Sequence, residues 1–330
     1  MLVPPRYTLN PEIVKLLQEI EACNEVIGSV SIPPEVENNI RRKSTLRSSL
    51  FSARIEGNEL TLEELLKTPS NNQKKIEVNN VLKAKNWINK RGQRDLKLSD
   101  ILALHEMTMK GLNPDAGSFR NHNEAIFNSA GIAVYMPPPP KQMHSYLERM
   151  VKYANSDKEK IGLIKACLVH YIFEKIHPFE DGSGRVGRLV MQKVLMQEGY
   201  GMKGLLAFEE YIDKHREAYY TALEEPEKET SDYIVFMLTA VSDTARNIKD
   251  MILHKQELEI EDYLLPRRAE ILTLLKEQKM MNFDQIHRRF SKINPRTLRN
   301  DLKRLQDDGL IRKRGATRGV YYEPTQQAGN

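Results

Sequence analysis

The chain has 330 residues, of which 40% are apolar and 29% charged, and a net charge of +5. That is the balance of an ordinary globular protein with room for two domains, and no apolar run nears the roughly 18 residues of a membrane span. The N-terminus lacks a basic-then-apolar signal. Cys23 and Cys167 are the only cysteines, which argues against a disulfide framework or a cysteine-based zinc site and for a cytoplasmic, reducing setting with no membrane partner.

In chain order, residues 33–56 open with Pro33-Pro34, repeat apolar positions at Val36, Ile40, Leu46 and Leu50, and stop at Gly57, which predicts a helix. Thr61-Leu62-Glu63-Glu64 has capping-box spacing for a short helix, and residues 73–90 and 99–112 continue the amphipathic pattern. Residues 119–136 break it. Ala125-Ile126-Phe127 and Ile132-Ala133-Val134-Tyr135 flank the small residues 128–131, as in a hairpin. Pro137 to Pro140 give a rigid exit, and helix resumes over 141–154. Residues 160–176 are apolar around most of a helical circumference, which predicts a central buried helix. A second helix is expected from about Gly184 to Gln197, ending before Gly199, with two or more further helices over 205–264.

Between the two central helices lies HPFEDGSGRVGR, residues 177–188. Small residues ahead of a helix let backbone N–H groups converge, and the helix N-terminus adds partial positive charge, so the turn favours an anion such as phosphate. Arg185 and Arg188 at helical spacing can add charge-assisted contacts. Asp181 can hold a Mg²⁺ that bridges phosphate oxygens. His177 has the intrinsic pKa of a general base, a role worth about 10²–10⁴ in rate. Together these predict phosphoryl or nucleotidyl transfer. The overlap of residues 182–187 with GxGxxG is set aside, because that motif needs a preceding strand, and no GxxxxGK[ST] loop occurs.

The dodecapeptide resembles the Fic-domain signature HxFx[D/E]GNGRxxR, matching at His177, Phe179, Asp181, Gly182, Gly184, Arg185 and Arg188. The resemblance implies a mainly α fold, a Fic-type helical bundle with a small β-hairpin flap. It implies transfer of AMP from ATP to a protein Ser, Thr or Tyr hydroxyl, in another protein or in the chain itself. In that reading His177 is the base, Asp181 the Mg²⁺ ligand, and Gly182, Ser183 and Gly184 the anion hole. Arg185 and Arg188 meet the distal phosphates, and Phe179 is a core anchor. Ser183 stands where the family usually has Asn, and its hydroxyl reaches less far than an amide. Relatives in the family also use other nucleotides or transfer other phosphate-containing groups, and removal of AMP stays open, as does a core that only senses nucleotide.

Ser52-Ala53-Arg54-Ile55-Glu56-Gly57 is similar to the family's inhibitory motif [S/T]xxxE[G/N]. By resemblance Glu56 would hold Arg188 and put ATP in a non-productive pose. The residues add support, because a carboxylate at a helix C-terminus is disfavoured by about 0.3–1 kcal/mol unless a cation meets it. The hairpin resembles the family flap that docks a target as an added strand, with Ala125, Ile126 and Phe127 as the pairing edge. Tyr219 and Tyr220 resemble a tyrosine pair found near the adenine in some relatives.

Residues 265–330 hold 15 Lys+Arg against 7 Asp+Glu, a net +8, which leaves −3 on the preceding residues. Three short helices over 266–278, 282–290 and 294–308, then strands at 310–311 and 320–322, resemble a winged helix-turn-helix. Its recognition helix would be 294–308, with Arg296, Arg299, Asn300, Lys303 and Arg304 available to DNA, and its wing would carry Arg312, Lys313, Arg314 and Arg318. Winged helices also dock proteins or dimerise, so DNA, a protein partner and a homodimer all remain open. The expected organisation is an N-terminal helical region 1–95 containing the inhibitory helix 33–57, a catalytic core 96–200, further helices 201–264 and the winged helix 265–325.

Overall fold

A computed structural model describes residues 1–32, 34–127, 133–253, 264, 266–291, 293–315 and 320–325. Helix follows helix from α1 (Pro11–Ser29) through α2 (Pro34–Ile55), α3 (Leu62–Lys67), α4 (Gln73–Arg91) and α5 (Leu98–Met109). Local chemistry fixes the ends. The Asn10 side chain accepts from the Ile13 N–H ahead of Pro11, and Thr61 and Glu64 form the expected capping box. Gly57, at φ +95°, turns the chain after α2. A two-stranded antiparallel hairpin follows, β1 (Ile126–Phe127) with β2 (Ala133–Tyr135), in the register Ile126 to Tyr135 and Phe127 to Ala133. The turn at 128–132 lies outside the described residues.

Next come α6 (Pro140–Ala154), α7 (Gly162–Ile176), α8 (Ser183–Gln197), α9 (Glu209–Lys214), α10 (Arg216–Glu224) and α11 (Ser231–Leu253). The sequence reading of 160–176 is met by α7, buried around nearly its whole circumference and packed on α6 and α8. The Lys85 ammonium meets the Glu209 carboxylate at 2.5 Å in this interior, and Ser48 Oγ donates to the same carboxylate at 2.5 Å.

The chain divides into two compact units, one of Met1–Val30 with Lys43–Asp250, the other of Ser31–Arg42 with Met251–Asn330. In the second unit α12 (Pro266–Gln278), α13 (Phe283–Arg289) and α14 (Pro295–Asp307) enclose an apolar core of Ile271, Leu275, Ile286, Leu298, Leu302 and Leu305. Asn294 caps α14 through its side chain, with Pro295 in the first turn. The expected pair of strands is present, and a third strand joins it. β3 (Met281–Asn282) pairs with β5 (Tyr321–Pro324), which pairs in turn with β4 (Ile311–Arg314), giving an antiparallel sheet of order β3-β5-β4. Two residues are too few to show an alternating pattern, which is why β3 is invisible in the sequence. Among the described residues no helix is long and apolar enough to cross a membrane.

Candidate functional site

The loop between α7 and α8 reverses sharply at His177, a left-handed residue at φ 44°, ψ 67° whose N–H donates to the Phe173 carbonyl at 2.9 Å. A non-glycine residue holds that conformation only when its surroundings dictate it. Here the surroundings are Arg120. Its buried guanidinium donates to the carbonyls of His177 at 2.8 Å, Ile176 at 3.3 Å and Pro138 at 2.6 Å, and its own N–H donates to the Pro178 carbonyl at 3.0 Å. Phe179 is fully buried, stacked on His105 at 3.7 Å, which makes it the core anchor the motif suggested. His105 receives the Gly117 N–H on Nδ1 at 2.9 Å, so its Nε2–H donates to the Asp181 carbonyl at 3.0 Å. Burial lowers the His105 pKa, consistent with this neutral ring.

Gly182 caps α8 at φ +85°, where a Cβ would stand 2.7 Å from Met109 Sδ. Ser183 turns inward. Its Oγ accepts the Phe179 N–H at 3.1 Å and donates to the Phe179 carbonyl at 3.0 Å, so the hydroxyl clasps the loop rather than facing a ligand.

At the first turn of α8 stands a carboxylate. Glu56 Oε1 lies 2.8 Å from Arg188 Nη2, and a Cβ added to Gly184 would come within 2.5 Å of the same oxygen. Ser52, one turn earlier on α2, receives Arg188 Nε on its Oγ at 3.1 Å and Nη2 on its carbonyl at 2.9 Å. The Arg188 side chain is 1% exposed, and that of Glu56 keeps 25%. Burial by itself would raise the Glu56 carboxyl; the Arg188 charge, helped by Arg185, outweighs it and holds the group below the usual carboxylate range. The pair is therefore ionic at any ordinary pH. Glu56 leaves the unfavourable end of its own helix dipole and sits at the favourable end of another.

Arg185 donates to Glu77 of α4 at 2.5 Å and to the Asp181 carboxylate, whose side chain remains 54% exposed. His177 borders the cavity with its Nδ1 buried near the Glu174 backbone; burial lowers its pKa, against the opposing pull of Glu56, and leaves the imidazole neutral at pH 7. The cavity measures about 630 Å³ and is lined by Glu56, Ile126, Glu174, His177, Gly184, Arg188, Tyr219 and Tyr220, among others. Tyr219 is buried and Tyr220 half-exposed, with ring centroids 5.2 Å apart. Both sequence-predicted tyrosines thus reach the site. Of the flap residues, Ile126 borders the cavity, Phe127 shares its strand, and Ala125 directly precedes them. Tyr135 of β2 donates to the Lys175 carbonyl at 3.0 Å, while the Lys175 ammonium stands 4.6 Å from its ring, tying the hairpin to α7.

Glu77, His105, Arg120 and Glu174 escaped the sequence reading. Glu77, His105 and Arg120 sit on separate elements and act on the loop across the fold, whereas Glu174 stands on α7 itself, three residues before the motif begins.

In the second unit Arg296, Arg299, Asn300, Lys303 and Arg304 are all exposed on α14, while Leu298, Asp301, Leu302 and Leu305 face inward. Asp301 is buried and paired with Arg267 and Arg268. Arg312 and Arg314 both bond to Glu323, and Arg318 lies outside the described residues.

The site is thus a buried helix pair joined by a glycine-capped turn, with a histidine bordering the cavity. Residues 95–195 match the Fic/DOC family and residues 267–319 a DeoR-like helix-turn-helix domain, so the chain carries a Fic/DOC domain and a C-terminal helix-turn-helix. Over 118 residues it is 34% identical to a probable protein adenylyltransferase of Aquifex aeolicus, covering 36% of this chain and 35% of that protein. Over 207 residues it is 30% identical to protein adenylyltransferase Fic of Drosophila mojavensis, covering 57% and 40%. The chain thus spans about a third to two fifths of the curated relatives it matches. A crystal structure of a Fic family protein from Desulfovibrio desulfuricans shares the fold, with a TM-score of 0.66, 24% identity and coverage of 97% and 98% of the two chains.

Proposed function

We propose that the chain is a self-inhibited protein adenylyltransferase that moves AMP from Mg-ATP to a protein Ser, Thr or Tyr hydroxyl. The observation that carries this reading is Glu56 seated on Arg188 and Gly184 at the first turn of α8, beside a neutral His177. An acidic side chain in an anion cradle occupies the position a phosphate would take.

The chemistry follows from the site's own groups. With Glu56 withdrawn, Arg188 and the N–H groups at the start of α8 are free to hold the distal phosphates, and Tyr219 and Tyr220 flank the base. His177 takes the proton of the attacking hydroxyl as that oxygen bonds to the α-phosphorus. The bond from the α-phosphorus to the bridging oxygen breaks, and pyrophosphate leaves with that oxygen. The half-exposed Asp181 fits a Mg²⁺ site, since this ion needs only one or two carboxylates beside phosphate oxygens and water. Bound there, the ion would neutralise phosphate charge. Arg185, held between Glu77 and Asp181, is assigned to the phosphates once Asp181 turns to the metal. Ala125, Ile126 and Phe127 offer the edge on which a target segment docks, and the two buried thiols fit a cytoplasmic setting.

Intact-mass measurement after incubation with Mg-ATP tests the proposal on wild type, Glu56→Gly and His177→Ala. The expected result is an AMP-sized gain on Glu56→Gly, much less on wild type and none on His177→Ala. A wild type as active as Glu56→Gly would refute self-inhibition. Modification only with another NTP would reassign the nucleotide, Glu56-dependent release of AMP from modified protein would add the reverse reaction, and tight binding without modification would favour a sensor.

For the second unit we propose DNA as partner, on the five exposed polar and basic side chains of α14 and the exposed Arg312, Lys313 and Arg314.

A further inference from the structure

Glu174 lies on α7 one turn before His177 and borders the cavity together with Glu56, Arg188 and Tyr219. Its side chain is only 11% exposed, and its Oε1 is buried with no hydrogen-bond partner among the described residues. The fold makes room for this carboxyl: a Cβ on Gly187 would collide with Glu174 Oε1 and stand 3.0 Å from Phe173 Cδ1. A glycine weakens a helix interior, so the second glycine of GRVG has a physical reason that the motif alone does not supply.

A buried carboxyl without a partner needs either a counter-charge or a proton. The nearest cation is Arg188, already paired with Glu56. The other titratable groups facing Glu174 are Glu56 beyond α2, His170 on its own helix, Tyr219 and Tyr220 on α10 and Tyr233 on α11. None of the tyrosines is ionised at neutral pH, because burial raises all three. His170 is neutral as well, pushed down to about 3 by burial and by Arg188. Its Nδ1 sits 2.6 Å from the Tyr233 hydroxyl, which leaves Nε2 between the Tyr219 hydroxyl at 3.4 Å and Glu174 Oε1 at 3.5 Å. Burial, opposed by Arg188, raises Glu174 to about 8, so at pH 7 it carries its proton. With Oε1 buried and Glu174 lining the cavity, the other carboxyl oxygen is the one available to present an O–H there.

We propose that Glu174 is a ligand-contacting residue, donating a hydrogen bond as a neutral carboxylic acid to a phosphate oxygen of the nucleotide held at Arg188. This rests on the reading of the cavity as a nucleotide site. A second carboxylate there would repel the phosphates; a carboxylic acid attracts them. Binding is then linked to one proton, lost as pH rises.

The test measures the affinity of a non-hydrolysable ATP analogue with Mg²⁺ by calorimetry between pH 7 and pH 9, in Glu56→Gly and in Glu56→Gly/Glu174→Gln. In the single variant affinity should fall as pH rises through this range, at most tenfold per pH unit for the loss of one proton. The double variant, whose amide also donates, should bind within about threefold of the single variant at pH 7 and lose that decline. A decline shared by both proteins overturns the proposal, as does loss of binding at every pH in a double variant that keeps its melting temperature. Absence of binding in both proteins at every pH would instead refute the nucleotide reading itself, and this proposal with it.

Discussion

Ser183 stands at the position of the motif that the signature gives to Asn, and its hydroxyl closes the loop on both the N–H and the carbonyl of Phe179. Ser183→Ala would leave the Phe179 N–H buried and unpaired, a loss of roughly 1–3 kcal/mol; a urea melt checks it. Glu174 gives a stability effect with a defined sign. Its folded pKa of about 8 lies above its unpaired value of 4.5, so between those limits the unfolded chain binds fewer protons and stability falls as pH rises. Glu174→Gln should therefore match wild type near pH 4.5 and melt at a higher temperature than wild type at pH 8. Residues 177–188 were legible because their chemistry is local, and Tyr219, Tyr220 and Glu56 were legible through resemblance. Glu77, His105 and Arg120 were not. Each reaches the loop from another element, and one residue type at one position carries no periodicity to read.

Helix α2 packs Leu50 and Ala53 against Leu65 and Val78, and polar contacts along another side add to its hold. Ser44 donates to the Leu205 carbonyl at 2.5 Å, Arg47 meets Glu210 at 2.7 Å, Ser48 meets Glu209 and Arg54 meets Asp213 at 3.2 Å. Three of those partners lie on α9, which leads directly into α10 and its tyrosines. The Tyr220 hydroxyl also reaches the Ile55 carbonyl at 3.4 Å, at the end of α2. Arg47→Ala/Ser48→Ala is therefore expected to loosen α2, raising AMP transfer several-fold over wild type in the same mass assay; these side chains do not line the cavity, so a purely structural defect would lower activity instead. The helices were readable from apolar repeats and from caps at Asn294, Thr61 and Gly57. The docking of α2 was not, because its contacts alternate serine and arginine on a polar face that looks solvated in sequence.

Across the whole molecule the excess positive charge sits in residues 265–330. If the helix-turn-helix holds DNA, affinity should fall linearly with the logarithm of salt concentration. Replacing both Arg296 and Arg299 by Ala should lower that slope by about 2 if each meets a phosphate, as fluorescence anisotropy over a salt series would show. The match of Glu56 to Arg188 has a different consequence, because both belong to one chain. A carboxylate fastened to its own site behaves as a competitor that cannot be diluted, present at an effective concentration of order millimolar or higher. Any anion entering at Arg188 must first displace it. The occlusion should be as complete in a single isolated molecule as in a concentrated solution, and its release should depend on whatever moves α2 rather than on how much protein is present.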